Sequence, residues 1–267
     1  MARNSHSRII GQFPGFGKFT FLFFVYLYLP IIVVMVLSFN ASPAATVWGG
    51  FSLEWYGKAL ANADLRTAAW NSIQIAVSAA LLSTVLATFA ANTLHRLTGR
   101  KDATLAQGVI MLPLVLPEIV MAVALLSFFS SLGVSLGKGN LIIAHTLLCL
   151  PFAFLPIRAR LQGMDASLTE AAADLYARPF SRFRHVTLPM LMPGIVSGFM
   201  LAFVVSMDNF TVSLLVSQAG STTLPVFIFG MLRVGVTPDV NAASTLIILA
   251  STALVVVSFL LAGRNPK

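Results

Sequence analysis

Glu118 and Asp208 are the residues of this 267-residue chain whose surroundings most demand a chemical explanation. Each is the sole acid in a long apolar run, Glu118 in Ala103–Val134 and Asp208 in Leu188–Ser217. An acid at the centre of a membrane helix costs about 2.5–3.5 kcal/mol on insertion scales, so it usually faces a cavity, a partner or a ligand. Glu118 follows Pro113 and Pro117 in MLPLVLPEIV. Two prolines four apart free carbonyls and kink a helix, which predicts an opening beside the acid. The chemistry offered is a cation-selective path, in which carboxylates offset desolvation of an ammonium group and disfavour anions. Asn209, beside Asp208, adds a donor to such a site. The competing reading is a structural hydrogen bond to a neighbouring helix or to a second chain, with the Glu protonated.

Other reactive side chains form no constellation. His145 stands alone in a further apolar run and reads as an interhelical hydrogen-bonding residue. The single cysteine, Cys149, excludes an intrachain disulfide and reads as packing. No His/Cys/Asp cluster suits a metal and no Ser–His–Asp set suits nucleophilic catalysis. The phosphate-binding pattern G-x-x-x-x-G-K-[ST] does not occur, so the chain has no such route to ATP hydrolysis. Neither a catalytic residue nor a metal ligand is assigned.

A second set of residues points to a protein partner. The polar stretch Arg158–Thr187 contains Ser167-Leu-Thr-Glu170, a capping-box pattern, then the helix formers Ala171, Ala172 and Ala173. Pro179 suits the first turn of a second short helix, and Leu188-Pro189 and Pro193-Gly194 mark a return to apolar sequence. A small-residue helical hairpin of this kind fits a partner's groove; a structured loop without a partner is the alternative.

These residues must be held by membrane helices. The chain is 57% hydrophobic and 10% charged, against about 25% charged in soluble domains. Charge-free apolar runs cover Phe19–Phe39, Trp70–Thr93, Asn140–Ile157 and Val240–Gly263, which with the two acid-bearing runs predicts six spans. The first run, of 21 residues, exceeds a signal-peptide core of roughly 7–15 and is expected to stay as a span. Of the 17 Lys and Arg, 13 fall at the termini and in the even-numbered loops, which places those on the cytoplasmic side. The net charge of +8 is thereby mostly a topology signal rather than a nucleic-acid footprint. Trp48, Trp55, Tyr56 and Trp70 fit an interfacial aromatic belt on the outer side. There, Phe51–Ala69 is expected to form an amphipathic surface helix, and Val226–Val236 a similar excursion ended by Pro238.

The segment EAAADLYARPFSRFRHVTLPMLMPGI, Glu170–Ile195, resembles the EAA loop of type I ABC importer permease subunits. That pattern is EAA, three residues, Gly, nine residues, then Ile-x-Leu-Pro. Here Glu170-Ala171-Ala172 is followed by Ala173–Leu175, Tyr176, Ala177–His185 and Val186-Thr187-Leu188-Pro189, with every spacing kept. Tyr176 replaces the glycine, which at such a turn commonly supplies φ > 0. Either the turn takes another backbone, or the ring packs on the partner. Ser206-Met-Asp208 and the stretch Gly235–Ala242 are similar to the spermidine/putrescine subgroup, which carries acids near both Glu118 and Asp208; Phe51–Tyr56 and Asn71-Ser72 are similar to the same permeases more broadly.

The resemblance implies an all-α membrane protein, a single permease domain over residues 1–267 with both termini cytoplasmic, in a bacterial inner membrane. It implies a coupling surface formed by Glu170, Ala171, Ala172, Asp174, Leu175, Tyr176, Ala177, Pro179, Phe183, Leu188 and Pro189. Its partners would be a second permease subunit, two cytoplasmic ABC ATPases that bind the ATP and Mg, and a periplasmic or lipid-anchored binding protein. No cofactor is expected in this chain and no nucleic acid among its partners; membrane lipid surrounds it. The solute would be a polyamine or related small cationic amine reaching Glu118, Asp208 and Asn209 by alternating access. Another solute, such as 4-aminobutyrate, an opine, an amino-acid derivative or iron, is the alternative within the class. An ion-coupled secondary transporter would use the same acids but need no ATPase dock, and a membrane-embedded enzyme would need a catalytic set around them.

Overall fold

The computed structural model describes residues 16–43, 47–97, 99–235 and 237–262. Its helices are α1 (Phe16–Leu37), α2 (Glu54–Ala61), α3 (Ala63–Arg96), α4 (Lys101–Val115), α5 (Glu118–Ser131), α6 (Lys138–Gln162) and α7 (Ala166–Asp174). There follow α8 (Pro179–Arg182), a π turn (Phe183–Thr187), α9 (Leu188–Asp208), α10 (Thr211–Val216), α11 (Leu224–Val234) and α12 (Pro238–Ala262). The all-α expectation is met: an isolated bridge between Asn40 and Phe51 is the only extended pairing among the described residues. Four helices there are long and apolar enough to cross a bilayer: Phe16–Leu37, Ala63–Arg96, Lys138–Gln162 and the continuous Pro179–Asp208. The pair α4–α5 makes a fifth if it is counted as one span.

Two compact units arise, one from Asn62–Gly230 with Leu249–Lys267 and one from Met1–Ala61 with Met231–Ile248, within the described residues. In the first, α3, α6 and α9 pack together. The contact face of α3 is an alanine stripe, Ala76, Ala80, Ala87 and Ala91, buried with Cys149, Ala153, Phe154 and Ile157 of α6 and Leu191, Ala202 and Phe203 of α9. Such spacing keeps one helix face small, and in lipid it is close backbone approach, not hydrophobicity, that holds helices together. The opposite side of α3 presents Leu81, Leu82, Val85, Leu86 and Phe89 outward.

Closest approach falls at Gly194 and Gly198, a G-x-x-x-G pair on α9. A Cβ on Gly198 would stand 2.6 Å from the Ala153 carbonyl oxygen, and one on Gly194 2.8 Å from Arg160 Cβ. The Cys149 thiol donates to the Ala202 carbonyl at 3.2 Å along the same seam. Asn71 and Ser72 of α3 also act here. The Asn71 amide donates to the Gly220 and Thr222 carbonyls at 3.1 Å, and Ser72 Oγ accepts from the Leu224 amide at 2.8 Å. They tie the chain after α10 back onto α3.

A second core joins Ala122 and Phe129 of α5, Leu141 and Ala144 of α6, Val212 and Val216 of α10, and Ile75 of α3. Both acid-bearing runs are broken where this core forms. The run Ala103–Val134 bends by 106° between α4 and α5, at Leu116 and Pro117, so it is not one continuous helix. The run Leu188–Ser217 stops at Asp208 and resumes at Thr211.

In the second unit, α1 buries none of its side chains within the chain. Beyond it, Phe39 stacks on Phe51 at 5.4 Å between centroids and packs on Tyr56 at 5.2 Å. The Asn40 side chain accepts from the Ser42 and Gly49 amides at 3.1 and 2.8 Å, and its backbone carbonyl accepts from the Trp55 indole at 2.9 Å. Trp55, expected in an aromatic belt, is thus a structural donor. The expected surface helix over Phe51–Ala69 is shorter, Glu54–Ala61. Asn62 ends it by capping α3, its Oδ1 accepting from the Asp64 and Leu65 amides at 2.9 and 3.0 Å.

Candidate functional site

Pro117 caps α5, so Glu118 is the first residue of that helix; the kink expected from the two prolines is a full break just before the acid. Asn209 caps the end of α9 one residue after Asp208. The second core brings these two breaks together, and the Asn209 amide donates to the Glu118 carboxylate. Asn209 is 7% exposed and satisfied on both sides: its Oδ1 accepts from the Val212 amide at 3.1 Å, and its carbonyl accepts from Ser213 Oγ at 2.8 Å. One residue therefore closes α9 with its backbone amide, while its side chain caps the first turn of α10 and braces Glu118.

The two acids differ in electrostatic setting. Glu118 lies in the first turn of α5, where the helix dipole favours an anion. Asp208 lies in the last turn of α9, where exposed carbonyl ends disfavour an anion and favour a cation. Both are exposed on the surface of this chain rather than buried within it, and neither has an ion pair among the described residues. The Asp208 carboxylate has no hydrogen bond among the described residues either. The geometry is a carboxylate at a helix C-terminus with a second, amide-braced carboxylate beside the adjoining residue, a combination suited to holding an ammonium group. The described residues contain no cluster of three His, Cys, Asp or Glu side chains that would suit a metal.

His145, read as a lone hydrogen-bonding residue, is 1% exposed and lies between both sides of the α9–α10 break. Its Nδ1 is 2.7 Å from Ser206 Oγ and its Nε2 is 3.1 Å from Ser213 Oγ. Nothing in the spacing of these three residues announced the contact, since Asp208-Asn209 contains neither proline nor glycine to mark the break.

At the other end of α9 stands the segment that carries the EAA pattern. The expected capping box at Ser167 does not form as read: Asp165 is the N-cap of α7, accepting from the Ser167 amide at 2.9 Å. That amide, then the Ser167 hydroxyl, hold the Asp165 carboxyl below its usual range. Helix α7 carries Glu170, Ala171, Ala172 and Asp174, and it closes after Leu175. The Tyr176 amide donates to the Ala173 carbonyl at 2.9 Å and the Ala177 amide to the Ala172 carbonyl at 3.2 Å, the paired bonds of a Schellman cap. Tyr176 occupies its left-handed position at φ +57°. The turn therefore keeps the backbone a glycine would supply, and the ring is 95% exposed.

Pro179 is the first residue of α8, as expected. The polar loop is shorter than Arg158–Thr187, because Arg158 and Arg160 belong to α6 and helix runs unbroken from Pro179 to Asp208 over 30 residues, through Phe183, Leu188 and Pro189. Phe183 stacks on Phe89 of α3 at 6.3 Å, and Arg160 Nε donates to the Met190 carbonyl at 3.0 Å. These contacts fasten the segment to the helix bundle.

Comparison with known proteins places the chain. Residues 83–265 match the family model described as binding-protein-dependent transport system inner membrane component. The chain is 40% identical over 247 residues to the spermidine/putrescine transport system permease protein PotC of Haemophilus influenzae, covering 92% of this chain and 96% of that one. It is 37% identical over 255 residues to the putrescine transport system permease protein PotI of Escherichia coli K12, covering 93% and 89%. Among solved structures, a chain of a bacterial ABC transporter that imports the polysaccharide alginate superimposes with a TM-score of 0.71 at 16% identity, covering 98% and 99%. The MetNI methionine ABC transporter gives 0.65 at 17% identity over 76% of this chain and 96% of that chain.

Proposed function

The chain belongs to the family of binding-protein-dependent transport system inner membrane components, and from that premise we propose that it imports polyamines or a related small cationic amine. As a member it is a multi-pass inner-membrane permease subunit and not itself an enzyme. The single observation that carries the cationic solute is Asp208, a carboxylate without an ion pair among the described residues, at the C-terminal end of α9 beside the Asn209–Glu118 pair. The names of the PotC and PotI relatives agree with that chemistry.

In this reading residues 1–267 act as one permease domain with six spans and cytoplasmic termini. The chain pairs with a second permease subunit, receives solute from a periplasmic or lipid-anchored binding protein, and is driven by two cytoplasmic ATPases that bind the ATP and Mg. The chain itself holds no cofactor. The coupling surface is Glu170, Ala171, Ala172, Asp174, Leu175, Tyr176, Ala177, Pro179 and Phe183, leading into Leu188 and Pro189. Closure of the ATPases moves α7 and α8, and with α8 the 30-residue helix that ends at Asp208. The path residues Glu118, Asp208 and Asn209 then alternate between outward and inward access.

The test is ATP hydrolysis by the reconstituted complex, with its binding protein loaded in turn with putrescine, spermidine, 4-aminobutyrate or ferric iron. Stimulation by the two polyamines and their accumulation in vesicles supports the reading. Stimulation by a neutral, anionic or metal solute alone overturns it.

A further inference from the structure

His145 is the buried titratable group that this transport scheme leaves unused, and donor counting shows which ring nitrogen donates to Ser213. Ser213 has one hydroxyl proton, and it goes to the Asn209 carbonyl at 2.8 Å. Its 3.1 Å contact with His145 Nε2 therefore has the ring nitrogen as donor. In a neutral ring Nδ1 then carries no proton and accepts from Ser206 Oγ at 2.7 Å. Every polar atom in this set is satisfied, which buried groups require.

The partners straddle the break: Ser206 lies in the last turn of α9 and Ser213 in α10. Among the described residues, the side-chain hydrogen bonds that reach this break from other helices come from His145 on α6 and Glu118 on α5. The remaining side-chain links at the break, from Asn209 Oδ1 and Ser213 Oγ, are local and join Asn209 to α10 only. We propose that His145, as the neutral Nε2–H tautomer, is a positioning residue that fastens both sides of the break and thereby holds Asn209 against Glu118. Its effect on transport rests on the reading of Glu118, Asn209 and Asp208 as the cation path. Through Ser213 and the Asn209 carbonyl, the ring sets the orientation of the amide that braces one carboxylate and the place of Asp208 one residue away.

The experiment uses the complete transporter in vesicles, with radiolabelled putrescine uptake and ATP hydrolysis measured together. His145→Leu lowers uptake relative to hydrolysis by about tenfold, the effect expected when buried partners are orphaned. His145→Gln, which offers an acceptor and an N–H donor, restores most of it. Asn209→Ala gives a loss of similar size, and His145→Leu adds little to it because both act on one link. An unchanged ratio of uptake to hydrolysis, or His145→Gln no better than His145→Leu, overturns the proposal. If His145→Leu does not assemble, Ser213→Ala breaks the same link with a smaller change and is held to the same expectation. ¹⁵N spectra of the histidine-labelled complex should show a protonated Nε2 and an unprotonated Nδ1; the reverse tautomer overturns the assignment. Failure of the path reading is separate, since it appears as unchanged putrescine uptake in Glu118→Gln and Asp208→Asn whatever the tautomer.

Discussion

The side-chain amide of Asn209 donates to the carboxylate of Glu118, joining a residue in the break of one apolar run to the first residue after the break of another. Neither helix could place its acid this way if it were continuous. A straight helix satisfies its own backbone and points its side chains outward, whereas a broken one leaves its terminal groups to neighbours.

The opposite helix ends predict opposite stability effects. Asp208→Asn removes an anion from the C-terminal end of α9 and should stabilise the complex by about 0.3–1 kcal/mol, while Glu118→Gln removes one from an N-terminus and should destabilise it by a similar amount. Putrescine uptake should fall in both, and further in Asp208→Asn, because the amide oxygen introduced by Glu118→Gln would still accept from Asn209. Thermal unfolding in nanodiscs and vesicle uptake read the two effects separately. Equal losses of uptake would count against a special role for the helix C-terminus.

Tyr176 holds a left-handed position that costs an L-residue about 1–2 kcal/mol relative to ordinary helical backbone. Tyr176→Gly should relieve part of that cost and raise hydrogen-exchange protection of the Tyr176 and Ala177 amides. If the exposed ring contacts the ATPase, the same substitution should reduce transport per ATP. Full coupling with higher protection would show that the ring is dispensable.

Asp165 predicts an acid sensitivity confined to α7. Its carboxyl is held low by the cap to Ser167, so the stabilisation is complete above the ordinary Asp range and disappears as pH falls through the lowered value. Asp165→Asn keeps an acceptor but cannot be protonated. Exchange of the Ser167 amide should therefore accelerate at acid pH in the parent protein and stay flat in that variant.

Gly198→Leu should be among the most damaging single changes in the bundle. Even its Cβ would stand 2.6 Å from the Ala153 carbonyl, a backbone atom that cannot rotate away. Overpacking of this kind costs typically about 1–3 kcal/mol and should lower the unfolding temperature of the assembled transporter. Gly194→Ala sets its Cβ 2.8 Å from Arg160 Cβ and 3.2 Å from the Pro156 carbonyl, so it too should destabilise, less than Gly198→Leu because only one methyl is added.

Much of this was legible residue by residue. Apolar length announced the helices, Pro113 and Pro117 announced the first break, and Pro179 announced the start of α8. The break after Asp208 was not, because the contacts that hold it are made by side chains: Asn209 Oδ1 caps the first turn of α10 and His145 is supplied from a distant part of the chain. Apolar periodicity ran on from α2 into α3, so the short Asn62 cap between them was invisible in it. Asp165 displaced Ser167 as the cap of α7 because both are good N-cap residues two positions apart. The G-x-x-x-G spacing of Gly194 and Gly198 was readable but became meaningful only once α6 was seen to cross there.

That crossing divides the 30-residue helix unequally. Pro179 lies roughly 28 Å along the axis from Gly198, and Asp208 roughly 15 Å beyond it, at about 1.5 Å per residue. A helix that rocks on this fulcrum has mechanical advantage: displacement at the Pro179 arm arrives at Asp208 at about half its amplitude and about double its force. In the proposed reading, the glycines that let two backbones touch would then set the gearing between ATPase closure and Asp208.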